Sequence, residues 1–153
     1  MNPVYLQPGQ LYVSASAARV TTILGSCIAV GLWDDEREIG GMNHFMLPNQ
    51  PASLPASDRF ANIAMPRLLE RLLIAGAREH RLQAKVFGGA CVLGISTTPD
   101  HLGIKNRRAA LEFLADHRIP VVAEETGGEV GRKLIFQTND GVVLLKRLTR
   151  DNG

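Results

Sequence analysis

The alternation of hydrophobic and polar residues divides the chain into a strand-rich first third, a middle with two helices and a strand-rich end. Short apolar segments bounded by turn residues predict eight strands, over residues 11–14, 20–24, 27–33, 38–47, 85–93, 120–124, 134–138 and 142–148. Asn139-Asp140-Gly141 joins the last two as a hairpin, because Asp-Gly tolerates a positive φ.

Two stretches carry the period of an amphipathic helix. In residues 58–80 apolar side chains recur three and four positions apart, and Ser57 or Asp58 is the predicted N-cap. Pro66 lies inside this pattern, so it either kinks the helix or begins a second segment. Residues 105–117 form the second helix. Strands at both ends with helices between them predict an α+β fold, in which a mixed sheet is covered by two main helices.

Composition narrows the class of protein. The 153 residues predict one domain over 1–153, and 45% hydrophobic with 21% charged residues argues against a disordered chain or a coiled coil. Lys and Arg number 17 against 15 Asp and Glu, without a basic tract, so nucleic-acid binding is not predicted. No apolar run is long enough to span a bilayer, and the first ten residues lack the pattern of a signal peptide. We therefore expect a cytoplasmic protein without membrane insertion.

The cysteines and histidines predict neither a disulfide framework nor a metal site. Two cysteines are too few for a disulfide scaffold, so we expect free thiols at Cys27 and Cys91. Neither the cysteines nor the four scattered histidines have the spacing of zinc ligands.

One cysteine and one histidine form a candidate chemical pair. Cys27 follows Gly25-Ser26 between two predicted strands, and His44 lies on the next strand. If the hairpin turns between residues 35 and 36, Cys27 lies opposite His44, with their Cβ atoms about 4.5–5.5 Å apart. A bulge at Gly40-Gly41 would instead shift the register by one and move His44 to the other face.

Such a pair suits nucleophilic attack on an amide or an ester. The imidazole takes the thiol proton, the thiolate attacks, and the imidazolium then protonates the leaving group. The alternative is structural: a buried cysteine acting as a small apolar residue and a histidine hydrogen-bonded in the core. Spacing alone leaves both interpretations open.

Four segments, taken in their order along the chain, resemble the CheD family, the chemoreceptor glutamine deamidases of bacterial chemotaxis. They are TTILGSC at 21–27, GGMNHFMLP at 40–48, AKVFGGA at 84–90 and GGEVGRK at 127–133. The resemblance extends over roughly residues 13–146, and this combination of motifs is specific.

The resemblance implies site residues. The catalytic cysteine and histidine of the family fall on Cys27 and His44, and its threonine falls on Thr21, with Thr22 as the neighbour that a slipped alignment would choose. Thr21 would orient the imidazole through its hydroxyl. The predicted substrate-binding residues are those beside the pair and one in a stretch that approximates a family motif: Ser26, Asn43 and Asn106.

The resemblance also implies fold, reaction and partners. The fold would be a layered α/β/β sandwich like that of bacterial toxin-type cysteine deamidases. The reaction would hydrolyse a protein-bound glutamine to glutamate, through a cysteine thioester and without metal or organic cofactor. The substrates would be the cytoplasmic helices of chemoreceptors, and a CheC-type phosphatase would be a second partner in some lineages. We expect a monomer.

Two other functions stay open from the sequence. The first is a docking regulator of receptors or of a phosphatase, with little catalytic role. The second is a redox protein in which Cys27 and Cys91 oxidise reversibly.

Overall fold

A computed structural model of the chain describes residues 1–91 and 101–149. The strands within these residues are β1 Asn2–Tyr5, β2 Leu11–Ser14, β3 Ala18–Leu24, β4 Ile28–Asp34, β5 Ile39–Phe45, β6 Gln83–Gly88, β7 Val121–Thr126, β8 Gly131–Gln137 and β9 Val143–Leu148. The helices are α1 Ala61–Ile74 and α2 Leu102–Asp116, with a short 3-10 helix over Glu79–Arg81.

The strands form two mixed sheets. We call the five-stranded sheet, in the order β2-β5-β4-β6-β7, the central sheet, and the four-stranded sheet, in the order β1-β3-β8-β9, the outer sheet. Each contains one parallel pair, β6 with β7 and β1 with β3, and its other pairs are antiparallel. Both helices contact the central sheet. The predicted α+β class with two main helices is therefore confirmed.

The central sheet is buried on both faces, which explains the nearly unbroken apolar run of β4. Ile28, Val30 and Leu32 pack in one cluster with residues of α1 and α2. Ala29 and Trp33, on the opposite face, pack in a second cluster with residues of β3 and β8. Because successive side chains of a strand point to opposite faces, a strand between two layers needs apolar residues at every position.

The β4–β5 hairpin has a different register from the one predicted. His44 lies opposite Ala29, two positions from Cys27, so the prediction that Cys27 and His44 are directly opposed was wrong. The cause is a turn displaced by one position: it covers residues 35–38 instead of the predicted 34–37, and Glu38 has a φ of 57°. A shift of two positions keeps every side chain on its face, so Cys27 and His44 still share one face of the sheet.

Asp34 stabilises this turn from a fully buried position. Its Oδ1 accepts from the amides of Glu36 and Arg37 at 3.1 Å each, and its Oδ2 accepts from the amide of Arg78 at 3.0 Å. Burial raises the pKa of this carboxyl, but the amides of Arg78 and Arg37 and the Arg78 guanidinium lower the pKa more, so the net shift is downward. The carboxylate therefore stabilises the fold above its unfolded pKa, and this contribution is lost as the pH falls through the folded pKa.

Asp34→Ala is expected to reduce the free energy of unfolding at neutral pH by about 2–4 kcal/mol, because three backbone N–H groups lose their buried acceptor. Urea denaturation measures the change. Asp35→Ala is the matched control, since its carboxylate is half-exposed and, among the described residues, pairs with Arg81 at 3.7 Å. Equal losses in the two variants would show that Asp34 does not determine the stability of the turn.

Several helix and strand boundaries in the structure differ from the predicted ones. Helix α1 begins after Phe60, so the predicted N-cap at Ser57 or Asp58 was wrong, and Asp58 instead pairs with Arg67 at 3.1 Å. Pro66 lies inside α1 without ending it. Strand β1 was missed, because it is short and largely exposed and so lacks an apolar pattern. Residues 92–93 of the predicted strand 85–93 lie outside the described residues.

Candidate active site

Cys27 lies where the chain passes from the outer sheet to the central sheet, on the turn between β3 and β4. Three successive carbonyl groups of this turn accept hydrogen bonds. The Gly25 and Cys27 oxygens accept from the amides of residues 90 and 89 at 3.0 and 2.9 Å, and the Ser26 oxygen accepts from Asn106 Nδ2 at 3.1 Å. The turn that carries the thiol is therefore held at every residue by its backbone.

Glycine is required behind this turn. A Cβ atom on Gly88, whose φ is 111°, would lie 2.1 Å from the Cys27 carbonyl oxygen. The buried Arg132 donates to the Gly88 oxygen at 3.2 Å and to the Gly127 oxygen at 2.9 Å. The 84–90 and 127–133 motifs thus meet behind Cys27, and the close approach of the Cys27 carbonyl requires glycine at position 88.

His44 points into the space between the two sheets, where it is almost completely buried. Its Nδ1 lies 2.7 Å from Thr22 Oγ1, and Thr22 Oγ1 lies 2.8 Å from the Leu6 carbonyl oxygen. The Thr22 hydroxyl has one proton, and Leu6 is the partner that can only accept it. Nδ1 must therefore be protonated and donate to Thr22 Oγ1, and Nε2 keeps its lone pair.

The His44 side chain lies on the face of the central sheet against which Cys27 also packs. Nε2 is buried and has no hydrogen-bond partner, so no hydrogen bond joins it to the Cys27 thiol. Cys27 directly precedes β4 and packs against the cluster that contains Ala29, the strand partner of His44, so both side chains belong to the same face of the central sheet. Hydrogen bonds of unliganded catalytic sites are often long and shorten when the substrate is bound.

Burial keeps both groups neutral at pH 7. It lowers the pKa of His44 to about 4. It also raises the pKa of the half-buried Cys27 thiol above its ordinary value, and the amide of Cys27 itself offsets this only in part. The resting pair is therefore a thiol and an imidazole, and not a thiolate–imidazolium ion pair.

The threonine of the site is Thr22, and the assignment of the imidazole contact to Thr21 was wrong. In β3 the side chains of Val20, Thr22 and Leu24 point inward and are fully or almost fully buried. Thr21 has the opposite orientation and lies on the outer face of the outer sheet. A hydroxyl on that face cannot contact a side chain between the sheets.

The three predicted substrate-binding residues occupy different places. Asn43 is fully buried and faces α1, where its Oδ1 accepts from the Val30 amide at 3.0 Å and its Nδ2 contacts Met65 Sδ at 3.2 Å. Its position on the face opposite His44 contradicts the substrate-binding role, because adjacent residues of a strand point to opposite faces.

Asn106, on α2, lies beneath the Cys27 turn instead of opening toward a substrate. Its Nδ2 donates to the Ser26 oxygen and, at 2.9 Å, to the Met46 oxygen, and the residue is fully buried. The structure thus assigns Asn106 a positioning role in place of the predicted contact with substrate. Ser26 is half-buried and adjoins the thiol.

Sequence reasoning named Thr22 only as the alternative to Thr21, and it missed the Leu6 carbonyl and the contacts of Arg132. The alternation in β3 was the signal for Thr22, because Thr22 shares its parity with the apolar Val20 and Leu24. No sequence pattern indicates the Leu6 carbonyl or the contacts of Arg132, since both depend on chain segments that are distant in sequence.

The described residues contain neither a cluster of metal-ligating side chains nor a membrane-spanning helix. No group of three or more His, Cys, Asp or Glu side chains in 1–91 and 101–149 is arranged to hold a metal ion. In the same residues, no helix has the length and apolar character needed to cross a membrane.

Comparison with known proteins places the chain in a family. Residues 46–147 match the family model described as "CheD chemotactic sensory transduction". A relative from Trichlorobacter lovleyi, named "Probable chemoreceptor glutamine deamidase CheD", is 48% identical over 97% of this chain and 92% of its own length.

Two further relatives agree with this result. A protein of Anaeromyxobacter dehalogenans, named "Probable chemoreceptor glutamine deamidase CheD 1", is 46% identical over 95% of this chain and 84% of its own length. One of Rhodospirillum rubrum, with the same name without the numeral, is 44% identical over 94% of this chain and 81% of its own. The family model matches most of the chain and the relatives match nearly all of it, so this protein belongs to the CheD family.

Proposed function

We propose that this protein is a protein-glutamine deamidase that hydrolyses glutamine side chains of chemoreceptors to glutamate and releases ammonia. One observation carries the proposal: the buried His44 is held in the tautomer that leaves Nε2 free, on the face of the sheet that Cys27 shares. The identification of chemoreceptors as the substrate follows the names of the relatives.

The first half of the reaction forms a thioester. As Cys27 Sγ attacks the carboxamide carbon, His44 Nε2 accepts the thiol proton, which burial keeps on sulfur until then. The imidazolium donates this proton to the departing nitrogen, and ammonia leaves as the carbon–nitrogen bond breaks.

The second half hydrolyses the thioester. His44 Nε2 takes a proton from water, the hydroxide adds to the thioester carbon, and the carbon–sulfur bond breaks. The proton on His44 returns to Cys27 Sγ, and glutamate is released. Thr22 does not touch the reacting atoms in this scheme; it holds Nδ1–H through both halves and is a positioning residue.

The pH dependence of kcat/KM tests the neutral resting pair. We expect a flat rate across about pH 6–8, because both groups keep one protonation state there. The rate falls on the acid side toward His44's pKa of about 4, since protonated Nε2 cannot accept the thiol proton. It falls on the alkaline side only above the ordinary thiol pKa, where no proton remains for the leaving group. If the fall in rate on the acid side had its midpoint between about pH 6 and 7, it would contradict a buried, neutral His44.

The function itself is tested by intact-mass analysis of a chemoreceptor cytoplasmic fragment incubated with the protein. Each deamidation replaces NH2 by OH, and peptide mapping identifies the glutamine. Ammonia release is measured in parallel and must match the number of modified sites. A fragment that binds without a change in mass would favour a docking regulator over a deamidase.

The proposal also covers the cellular location of the enzyme, its oligomeric state, its further partner and its fold. We place the enzyme in the cytoplasm as a monomer of one domain over residues 1–153, with a CheC-type phosphatase as a further partner. Its layered fold is proposed to resemble that of bacterial toxin-type cysteine deamidases. No metal or organic cofactor takes part, because the thiol and imidazole supply both the nucleophile and the proton transfers.

A further inference from the structure

The outer sheet covers the site with one face and leaves its other face open. The exposed side chains of that face alternate with the buried residues of β3, β8 and β9. We call it the basic face and define it by its exposed cations and large apolar residues: Arg19, Lys133, Lys146, Tyr5, Ile23 and Leu144. Tyr5, Ile23 and Leu144 are 50, 45 and 59% exposed, so no layer of the described chain packs on them.

The charges of this face are not compensated by the described chain. Lys133 lies directly opposite Lys146 in the β8–β9 pair, an arrangement in which like charges repel. The side chains of these lysines and of Arg19 form no ion pair or hydrogen bond with a described residue. Their neighbour Arg147, by contrast, pairs with Glu125. No acidic residue occupies the rows that cross this face.

The basic face adjoins the candidate active site. Ile23, Lys133 and Lys146 form one row across three strands. The next residue of β3 after Ile23 is Leu24, where the strand ends and the Cys27 turn begins. A protein segment lying on this row therefore reaches the end of β3 from which the Cys27 turn begins, and it must pass around the edge of the outer sheet to bring a glutamine to the thiol.

We propose that the basic face docks an acidic segment of the protein substrate next to the glutamine that Cys27 attacks; this inference rests on the proposed function. The charge of the occupant follows from the unpaired lysines, because acidic side chains between Lys133 and Lys146 would remove their repulsion. Its protein nature follows from Ile23 and Leu144, since aliphatic side chains among the cations bury area against a protein but make few contacts with phosphates.

Binding is tested separately from catalysis in the Cys27→Ala background. The probe is a chemoreceptor cytoplasmic fragment whose target glutamine is flanked by Asp and Glu, and a second fragment has those acids replaced by Asn and Ser. Lys133→Glu and Lys146→Glu are each expected to raise the Kd of the acidic fragment about 3- to 10-fold, with a weaker dependence on salt. The neutral fragment is expected to bind all forms of the protein alike.

Arg118→Glu is the matched control. The substitution changes the net charge by the same amount as each lysine variant, and Arg118 is also exposed, but it follows α2 instead of lying on the outer sheet. It is expected to leave the Kd unchanged. Equal weakening by Arg118→Glu, or no weakening by either lysine variant, overturns the docking surface. Tighter binding of wild type to anionic vesicles or to single-stranded DNA than to the fragment also overturns it.

Turnover by the corresponding variants that retain Cys27 separates this inference from the proposed function. Normal deamidation with unchanged Kd in the lysine variants overturns the docking surface and leaves the activity. Lysine-dependent binding without deamidation by wild type supports the docking surface and contradicts the activity. On a short neutral glutamine peptide that cannot reach the basic face, we expect the lysine variants to match wild type.

Discussion

Cys27→Ala is expected to abolish deamidation, with a loss of more than about 10³-fold in kcat/KM, because no other group replaces the nucleophile once the sulfur is removed. Intact-mass analysis of a receptor fragment over long incubations measures the remaining rate. The thiol is small and half-buried, and the turn is held by its own carbonyl groups, so the variant should keep the fold. An unchanged unfolding midpoint in urea checks this.

Cys91→Ala is the matched control for Cys27. Cys91 is also half-buried, and its amide donates to the Gly128 oxygen at 2.9 Å, a bond that alanine keeps. We expect this variant to retain wild-type deamidation. Loss of activity in both variants would favour the redox interpretation, in which the two thiols act together. Full activity in Cys27→Ala would rule out the thioester mechanism.

Thr22→Val is expected to lower kcat about 10- to 100-fold, because the imidazole loses the group that selects its tautomer. Valine has nearly the shape of threonine, but it leaves His44 Nδ1 and the Leu6 oxygen without their partner. The free energy of unfolding should fall by about 1–3 kcal/mol for the same reason, so activity is compared below the unfolding transition.

A threonine that acts only in packing would not give the further results we expect. Thr22→Ser restores the hydroxyl and should recover most of kcat, although it removes a buried methyl group. On a short glutamine peptide, Thr21→Val should keep kcat within about twofold of wild type, because its side chain points away from His44. A large loss in Thr21→Val with a normal Thr22→Val would reverse the assignment made here.

The β4–β5 hairpin illustrates how far local patterns predict this fold. The apolar run of β4 and the polar residues after it are enough to predict two strands and a turn. The position of the turn is set by Asp34, whose carboxylate is held by the distant Arg78 as well as by the turn itself. The predicted register was therefore wrong by two positions, while the face that Cys27 and His44 share was predicted correctly.

The family, the α+β class and the two residues proposed to carry the chemistry could all be predicted from the sequence alone. These depend on residue identity, on order along the chain and on short-range alternation, all of which a single sequence displays. The tertiary structure decided that Thr22 contacts His44, that Asn106 holds the Cys27 turn and that Asn43 faces a helix. It also brought three unpaired cations onto one face. Each of these depends on pairing between strands or layers far apart in the sequence, where one position of register changes which side chains meet.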